Sequence, residues 1–181
     1  SAVNEAELIY ELGMKLVVTD HHQLPEILPK AEAIVNPHRQ DDSSPYKELA
    51  GCGVALKLIM ALERDVEGVL EQYADLAAIG TIGDVVALTG ENRIIVKRGL
   101  LEMQYSENLG LLSLIRQAGL DEENITSTGV AFGICPRINA AGRYEDPKAA
   151  AELFLAQTGQ IAEIKAQELN ELNAKRKQIE S

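Results

Sequence analysis

The sequence has few aromatic residues and no tryptophan. Phenylalanine, tyrosine and tryptophan together make up 4% of the 181 residues, although 46% of the chain is hydrophobic. A hydrophobic core must therefore be built from alanine, leucine, isoleucine and valine. This composition favours helices that pack closely on one another or on a parallel sheet. The length suits one domain, or one domain and part of another.

The chain also has fewer basic than acidic residues. The chain has 17 lysines and arginines against 28 acidic residues, which gives a net charge of -11. Modules that bind nucleic acid by bulk electrostatics are usually basic, so this class is disfavoured. A nuclease is not excluded, because a metal site needs carboxylates and a basic groove can lie in another part of a protein.

Cysteines and long apolar runs are scarce. Cys52 and Cys135 are the two cysteines, and neither belongs to a CxxC or CxxH pair. They are too few for a disulfide scaffold, so we expect free thiols in a reducing compartment. No apolar run reaches the ~18 residues of a membrane span. Residues 1–12 resemble an acidic amphipathic helix rather than a signal peptide. We therefore expect a cytoplasmic chain without a membrane segment.

Hydrophobic patterning predicts a helix-rich α/β fold. Apolar runs at 16–19 and 33–35 predict two short strands that belong to a parallel sheet. Helical spacing predicts helices near residues 3–12, 50–64, 67–80, 91–105, 108–118, 126–133 and 147–157, and from 159 onward. A helix before the first strand is half of a βαβ unit, so we expect an upstream strand outside this sequence. The last helix lacks a stop signal, so we expect residues 158–181 to connect to another domain.

Asp20-His21-His22 directly follows the first predicted strand. In open α/β sheets, ligands bind at the carboxyl ends of strands. An acid and two imidazoles at that place are good ligands for Mn²⁺ or Zn²⁺. Taken alone, the three residues are equally consistent with one histidine at a helix cap and the other in solvent.

Two further polar segments interrupt apolar or small-residue stretches. Asp84 is the single acid in the apolar stretch from Leu76 to Leu88, and Gly80 and Gly83 precede it. A carboxylate in such surroundings should be paired or should bind a metal, although it could also cap a turn. In the segment 136–143, two arginines and an asparagine stand among small residues. Arginine forks suit phosphate oxygens, but a helical turn with surface arginines is the alternative.

These segments resemble consecutive blocks of the RecJ single-stranded-DNA exonucleases of the DHH phosphoesterase family. The resemblance continues at residues 33–37, 49–55, 90–93 and 169–176, and it is most specific at Pro136-Arg137-Ile138-Asn139-Ala140-Ala141-Gly142-Arg143. It implies a 5′-to-3′ exonuclease of DNA repair and recombination that uses two Mn²⁺ or Mg²⁺ ions. It also implies single-stranded DNA as a partner, with single-strand-binding or helicase proteins as candidate partners.

The resemblance assigns a role to each site residue. His21 and Asp84 become metal ligands, His22 faces the scissile phosphate, and Asp20 supports the ligands. The residues that hold substrate phosphates are Arg137, Asn139 and Arg143. The family's first two metal segments and its C-terminal DHHA1 domain have no counterpart here. We therefore expect residues 1–157 to form a truncated DHH-type domain with a short parallel sheet remnant, inactive alone.

Two other functions remain open at this point. Asp-His-His alone also resembles family II pyrophosphatases and oligonucleotide phosphatases of the DHH family. A catalytically silent DHH relative that serves as a scaffold is the other alternative. Retention of His21, His22 and Asp84 argues against the scaffold, which needs no metal ligands.

Overall fold

The protein combines a two-stranded sheet with a body of helices. The structure, a computed structural model, describes residues 3–144 and 146–179, apart from the side chains of Arg143 and Tyr144. The strands are β1 (Val17–Thr19) and β2 (Ala33–Val35), and the helices are α1 (Val3–Glu11), α2 (Gly51–Glu63), α3 (Val66–Gly83), α4 (Gly90–Glu102), α5 (Leu109–Gln117), α6 (Ser127–Gly129), α7 (Cys135–Tyr144), α8 (Lys148–Phe154) and α9 (Gly159–Ile179). The expected helix-rich α/β class with a short parallel sheet is confirmed.

The sheet places the end of β1 beside the end of β2. The strands are parallel, with Val17 opposite Ala33 and Thr19 opposite Val35. The backbone N–H of Asp20 donates to the carbonyl of Val35 at 3.0 Å, which continues the pairing one residue beyond β1. The polar segment that begins at Asp20 therefore leaves the sheet at its carboxyl edge, as expected for a ligand site in an α/β fold.

Helix α3 is shared by two hydrophobic clusters. Its Ala77 packs with residues of α2 and α4, such as Val54 and Ile95. The adjacent Ala78 and Ile79 belong to a larger cluster that also contains side chains of α5, α7, α8 and α9. Small alanines on two faces of α3 let helices approach from both sides, in agreement with a core that is poor in aromatic residues.

Several helix boundaries differ from the prediction; for example, α8 ends at Phe154 rather than at 157. Helix α3 continues to Gly83 rather than ending at 80, because its glycines lie at close helix contacts and do not act as stops. Residues 127–144 form one continuous helical stretch, in which the π-helical turn Val130–Ile134 joins α6 to α7. Pro136, which has no N–H to donate, directly follows the π-helical turn, where the Cys135 N–H bonds to the Val130 carbonyl and the regular i→i−4 pattern is already interrupted.

Helix α9 is part of the main core. Its Ala166, Leu169 and Leu172 are buried in the larger cluster together with residues of α5, α7 and α8. The core therefore continues across the expected domain boundary between residues 157 and 158. The connection of α9 to another domain stays a prediction. None of the helices in the described ranges combines the length and hydropathy that a bilayer crossing requires.

Candidate metal centre

Asp20 organises the turn that follows β1. Its Oδ1 accepts hydrogen bonds from the backbone N–H groups of His21 at 2.7 Å and His22 at 3.2 Å. The same oxygen lies 2.7 Å from Nδ1 of the His22 ring. One carboxylate therefore fixes both the backbone and one imidazole. The potential ligand atoms of Asp20, His21 and His22 all lie within 4.8 Å of one another.

The hydrogen bonds to Asp20 favour its ionised form. Partial burial raises the pKa of this carboxyl, but the hydrogen bonds from the His22 ring and from the two backbone N–H groups outweigh burial. The pKa of Asp20 therefore lies below its ordinary value. At neutral pH the group is an anion that accepts from Nδ1 of His22, which leaves Nε2 of that ring available to a ligand.

Asn36 supports the same turn from the end of β2. Its amide donates to the carbonyl of His22 at 3.0 Å, and its Oδ1 accepts from the backbone N–H of His38 at 2.9 Å. The side chain is buried. Asn36 is a functional residue that sequence reasoning missed, although an asparagine directly after a predicted strand was a usable signal.

Asp84 reaches this turn from the C-terminal end of α3. Its Oδ2 lies 3.5 Å from Nδ1 of His21, so the expected proximity of the two residues is confirmed. This distance exceeds the ordinary range of N–H···O hydrogen bonds, about 2.7–3.2 Å. The two groups therefore face each other without a hydrogen bond between these atoms, and both atoms remain able to bind a ligand.

Close helix packing fixes the position of Asp84. A Cβ at residue 80 would stand 2.7 Å from Sγ of Cys52 in α2, so only glycine permits this approach. A Cβ at residue 83 would stand 3.3 Å from Sγ of Cys135 in α7. The end of α3 is thus held between two cysteines. Burial raises the pKa of Cys135 to about 11, which suits a packing role.

The residues around the His21 and Asp84 pair leave it little freedom. The His21 ring lies against the backbone at the start of α2, where a Cβ at Gly51 would stand 3.2 Å from Cδ2 of the ring.

Val85, directly after Asp84, has a φ of 60° and is 88% exposed. Positive φ is costly for a β-branched residue, and such strain is concentrated at functional sites.

The three residues of the 136–143 segment have different environments. Arg137 points into the helical body: Nε donates to Oδ1 of Asn170 at 3.0 Å, and the two terminal nitrogens donate to the carbonyls of Gly133 and Gln117 at 2.6 and 3.2 Å. Asn139 is exposed and lines a cavity of about 450 Å³ together with Gly83 and Val85. Arg143 lies in α7, but its side chain is outside the described part of the chain.

The donor set suits a divalent cation. Imidazole nitrogen and carboxylate oxygen are the protein ligands of catalytic divalent metals, with bonds of roughly 2.0–2.2 Å. Two ligand atoms of one ion are then about 3–4 Å apart, and the 3.5 Å between Nδ1 of His21 and Oδ2 of Asp84 lies in this range. The geometry can therefore hold a cation between these residues.

Comparison with known proteins finds similarity to one family. The model described as the DHH family, N-terminal domain, matches residues 1–81. The RecJ single-stranded-DNA-specific exonuclease of Bacillus subtilis is 40% identical over 181 residues, which are all of this chain and 23% of that protein. The chain is therefore similar to DHH-family proteins, over residues 1–81 by the family model and over its whole length by this relative. RecJ of Thermus thermophilus is 39% identical over 98% of this chain and 26% of its own length. The chain thus spans about a quarter of these DHH-family relatives.

Solved structures extend the similarity to the whole fold. A crystal structure of exonuclease RecJ bound to manganese matches 98% of this chain and 45% of that chain, with a TM-score of 0.86 and 39% identity. RecJ in complex with Mn²⁺ from Thermus thermophilus matches 98% of this chain and 26% of that chain, with a TM-score of 0.83 and 38% identity. The fold is therefore that of the corresponding part of these RecJ structures.

Proposed function

We propose that this chain is part of a metal-dependent exonuclease that hydrolyses the phosphodiester bonds of single-stranded DNA from the 5′ end, in recombination and repair. The observation that carries the proposal is the 3.5 Å approach of Oδ2 of Asp84 to Nδ1 of His21, at the carboxyl edge of the sheet. Relatives named as single-stranded-DNA-specific exonucleases support the substrate, and relatives bound to manganese support the metal.

His21 and Asp84 are the proposed direct ligands of Mn²⁺ or Mg²⁺, with two ions in the intact enzyme. When bound, such ions neutralise phosphate charge and lower the pKa of a coordinated water. His22, held through Nδ1 by Asp20, presents its other nitrogen to the scissile phosphate. Asn36 fixes the backbone at His22 and so limits the freedom of that ring.

Residues on α7 are proposed to contact the DNA backbone. Asn139 is exposed beside the turn that follows Asp84, which supports its role as a phosphate contact. Arg143 keeps the phosphate-binding role that the family resemblance implies. Arg137 instead donates to three internal acceptors, so we propose that it holds α7 in place and that its effect on DNA is indirect.

The proposal places this chain in a longer protein. Residues 1–157 are the proposed part of the catalytic domain, and residues 158–181 are the proposed connection to a DHHA1 domain. The chain spans only 23% to 33% of the first curated relatives, which supports this arrangement. Single-strand-binding and helicase proteins are the proposed partners, and the cytoplasm is the proposed location.

The experiment compares the full-length protein with its Asp84→Ala variant on a 5′-labelled single strand in the presence of Mn²⁺. We expect the variant to lose cleavage, because one of the proposed ligands is gone. Asp41→Ala is the matched control, since Asp41 is an exposed acid paired with Arg39. Wild-type activity in the Asp84 variant would overturn the proposal, as would hydrolysis of pyrophosphate or very short oligonucleotides with no cleavage of long strands.

A second assay addresses this chain alone. We expect residues 1–181 to cleave no DNA, because a two-metal site needs more protein ligands than the His21 imidazole and the Asp84 carboxylate provide. The net charge of -11 also opposes binding of phosphates. Cleavage by the chain that disappears in its Asp84→Ala variant would contradict this expectation.

A further inference from the structure

Asn92 is a buried polar residue that the proposed reaction does not use. It stands in the first turn of α4, in the segment Glu91-Asn92-Arg93, and its side chain has no exposure to solvent. Within the described residues, its Oδ1 has no hydrogen-bond partner. Burial of an unpaired carbonyl destabilises a fold. An asparagine is therefore not the residue that packing alone would favour here.

The amide nitrogen of Asn92 explains why the residue is polar. Nδ2 donates to the carbonyl of Glu48 at 2.5 Å and to the carbonyl of Ala87 at 3.1 Å. Both acceptors are backbone oxygens, so the orientation of the amide is fixed, because the flipped amide would place oxygen against oxygen. One side chain therefore ties together two segments that are distant in sequence.

Each of these segments leads directly to one half of the His21 and Asp84 pair. Ala87 follows Asp84 by three residues, in the turn between α3 and α4. Glu48 precedes Gly51 by three residues, and Gly51 is the backbone against which the His21 ring lies. Leu49 and Ala50 between them are buried, so movement of Glu48 is transmitted to the start of α2.

A neighbouring contact joins the same two segments. The hydroxyl of Tyr46 donates to the carbonyl of Thr89 at 2.8 Å, and its ring covers the backbone of Gly90. The Tyr46 contact is exposed, whereas the Asn92 side chain has no exposure to solvent. Because water competes less for the hydrogen bonds of a buried side chain, Asn92 sets the spacing of the segments and Tyr46 covers them.

We infer that Asn92 is a positioning residue, which holds the turn after Asp84 against the segment that precedes α2 and so sets the distance between Asp84 and His21. The inference deepens the proposed function, because it names the residue that keeps the proposed ligands together. It concerns the metal-free protein as well, since all of the contacts lie within the chain.

The first test is amide hydrogen exchange in the metal-free protein, which does not depend on the proposed function. Asn92→Leu keeps the branched shape and the number of heavy atoms of the side chain and removes both hydrogen bonds. We expect the amides of Asp84 and Val85, which bond to Gly80 and Ile82, to exchange at least tenfold faster. The matched control is Asn108→Leu, because Asn108 donates to Phe154 and accepts from Leu111 in another part of the fold.

The second test is calorimetry of Mn²⁺ binding to the full-length protein and its variants, at a temperature where all of them are folded. We expect Asn92→Leu to raise the dissociation constant at least tenfold, while Asn108→Leu changes it less than threefold even if it lowers the melting temperature equally. Equal exchange at Asp84 in the two variants would overturn the inference. A wild-type protein that binds no Mn²⁺ would overturn the proposed function, and hydrogen exchange would still decide the role of Asn92.

Discussion

Oδ1 of Asp20 lies 2.7 Å from Nδ1 of the His22 ring and also accepts from the backbone N–H of the same histidine. Ring and backbone of His22 are therefore held by a single oxygen. A histidine whose second nitrogen is bonded in this way has a fixed ring orientation and a defined tautomer. The side chain of His22 is 75% exposed, so this bond and the tilted contact with the His21 ring, whose centroid lies 4.2 Å away, restrain the imidazole.

Asp20→Asn should lower the catalytic activity more than it lowers the stability of the fold. The amide loses the negative charge that orients the His22 ring, and loss of such a supporting group typically costs about 10- to 100-fold in activity or metal affinity. The measurement is kcat/KM of the full-length protein on single-stranded DNA. Asp41→Asn is the control and should have wild-type activity. A variant at position 20 with full activity would show that His22 needs no such support.

The lowered pKa of Asp20 predicts a pH dependence of stability. A carboxyl whose pKa is lower in the folded state contributes stability that is present above its unfolded value of 3.8. That contribution is lost as the pH falls from about 4 through the folded pKa. In urea unfolding between pH 5 and pH 2.5, the wild type should therefore lose more stability than Asp20→Asn. Parallel curves for the two proteins would contradict the prediction.

Arg137→Ala should destabilise the fold. The substitution removes bonds to the side chain of Asn170 and to the carbonyls of Gly133 and Gln117. We expect a loss of about 1–3 kcal/mol in the free energy of unfolding, measured with denaturant.

The control for Arg137 is Arg116→Ala, which removes an exposed ion pair with Glu122 and should cost less than about 0.5 kcal/mol. If Arg137→Ala leaves stability unchanged and lowers the salt dependence of DNA binding by about one ion, the residue is a phosphate contact after all.

Gly80→Ala should destabilise the contact between α2 and α3. The added Cβ would stand 2.7 Å from Sγ and 2.9 Å from Cβ of Cys52, and overpacking of this kind costs about 1–3 kcal/mol. The double variant with Cys52→Ala should recover part of the loss, because Sγ is gone. Gly159→Ala is the control, since no atom lies within 4 Å of its added Cβ. A neutral Gly80→Ala would mean that the helices can separate without cost.

Structural elements that a local sequence pattern determines were predicted correctly. Apolar periodicity predicted both strands and most helices, and the position of Asp20-His21-His22 after a strand predicted their place at the sheet edge. The prediction was incomplete where the partner of a residue is distant in sequence. Two of the three acceptors of Arg137 come from α5 and α9, so the sequence near residue 137 did not indicate that its guanidinium points inward.

The same limitation explains the residues that were missed. Asn36 and Asn92 act through backbone carbonyls that only the folded chain brings to them. Gly80 and Gly83 are visible in the sequence beside Asp84, but the groups that approach them, the sulfur atoms of Cys52 and Cys135, are not. Sequence spacing indicates which residues are small and not what lies against them.

The shared position of α3 between two hydrophobic clusters has a consequence for cooperativity. Ala77 belongs to one cluster, and Ala78, Ile79 and Ile82 belong to the other. Both clusters need α3, so unfolding of this helix disrupts both of them. The chain should therefore unfold in a single transition. Because Asp84 ends this helix, a cation bound there would stabilise both clusters at once, and the melting temperature of the whole chain would report on its occupancy.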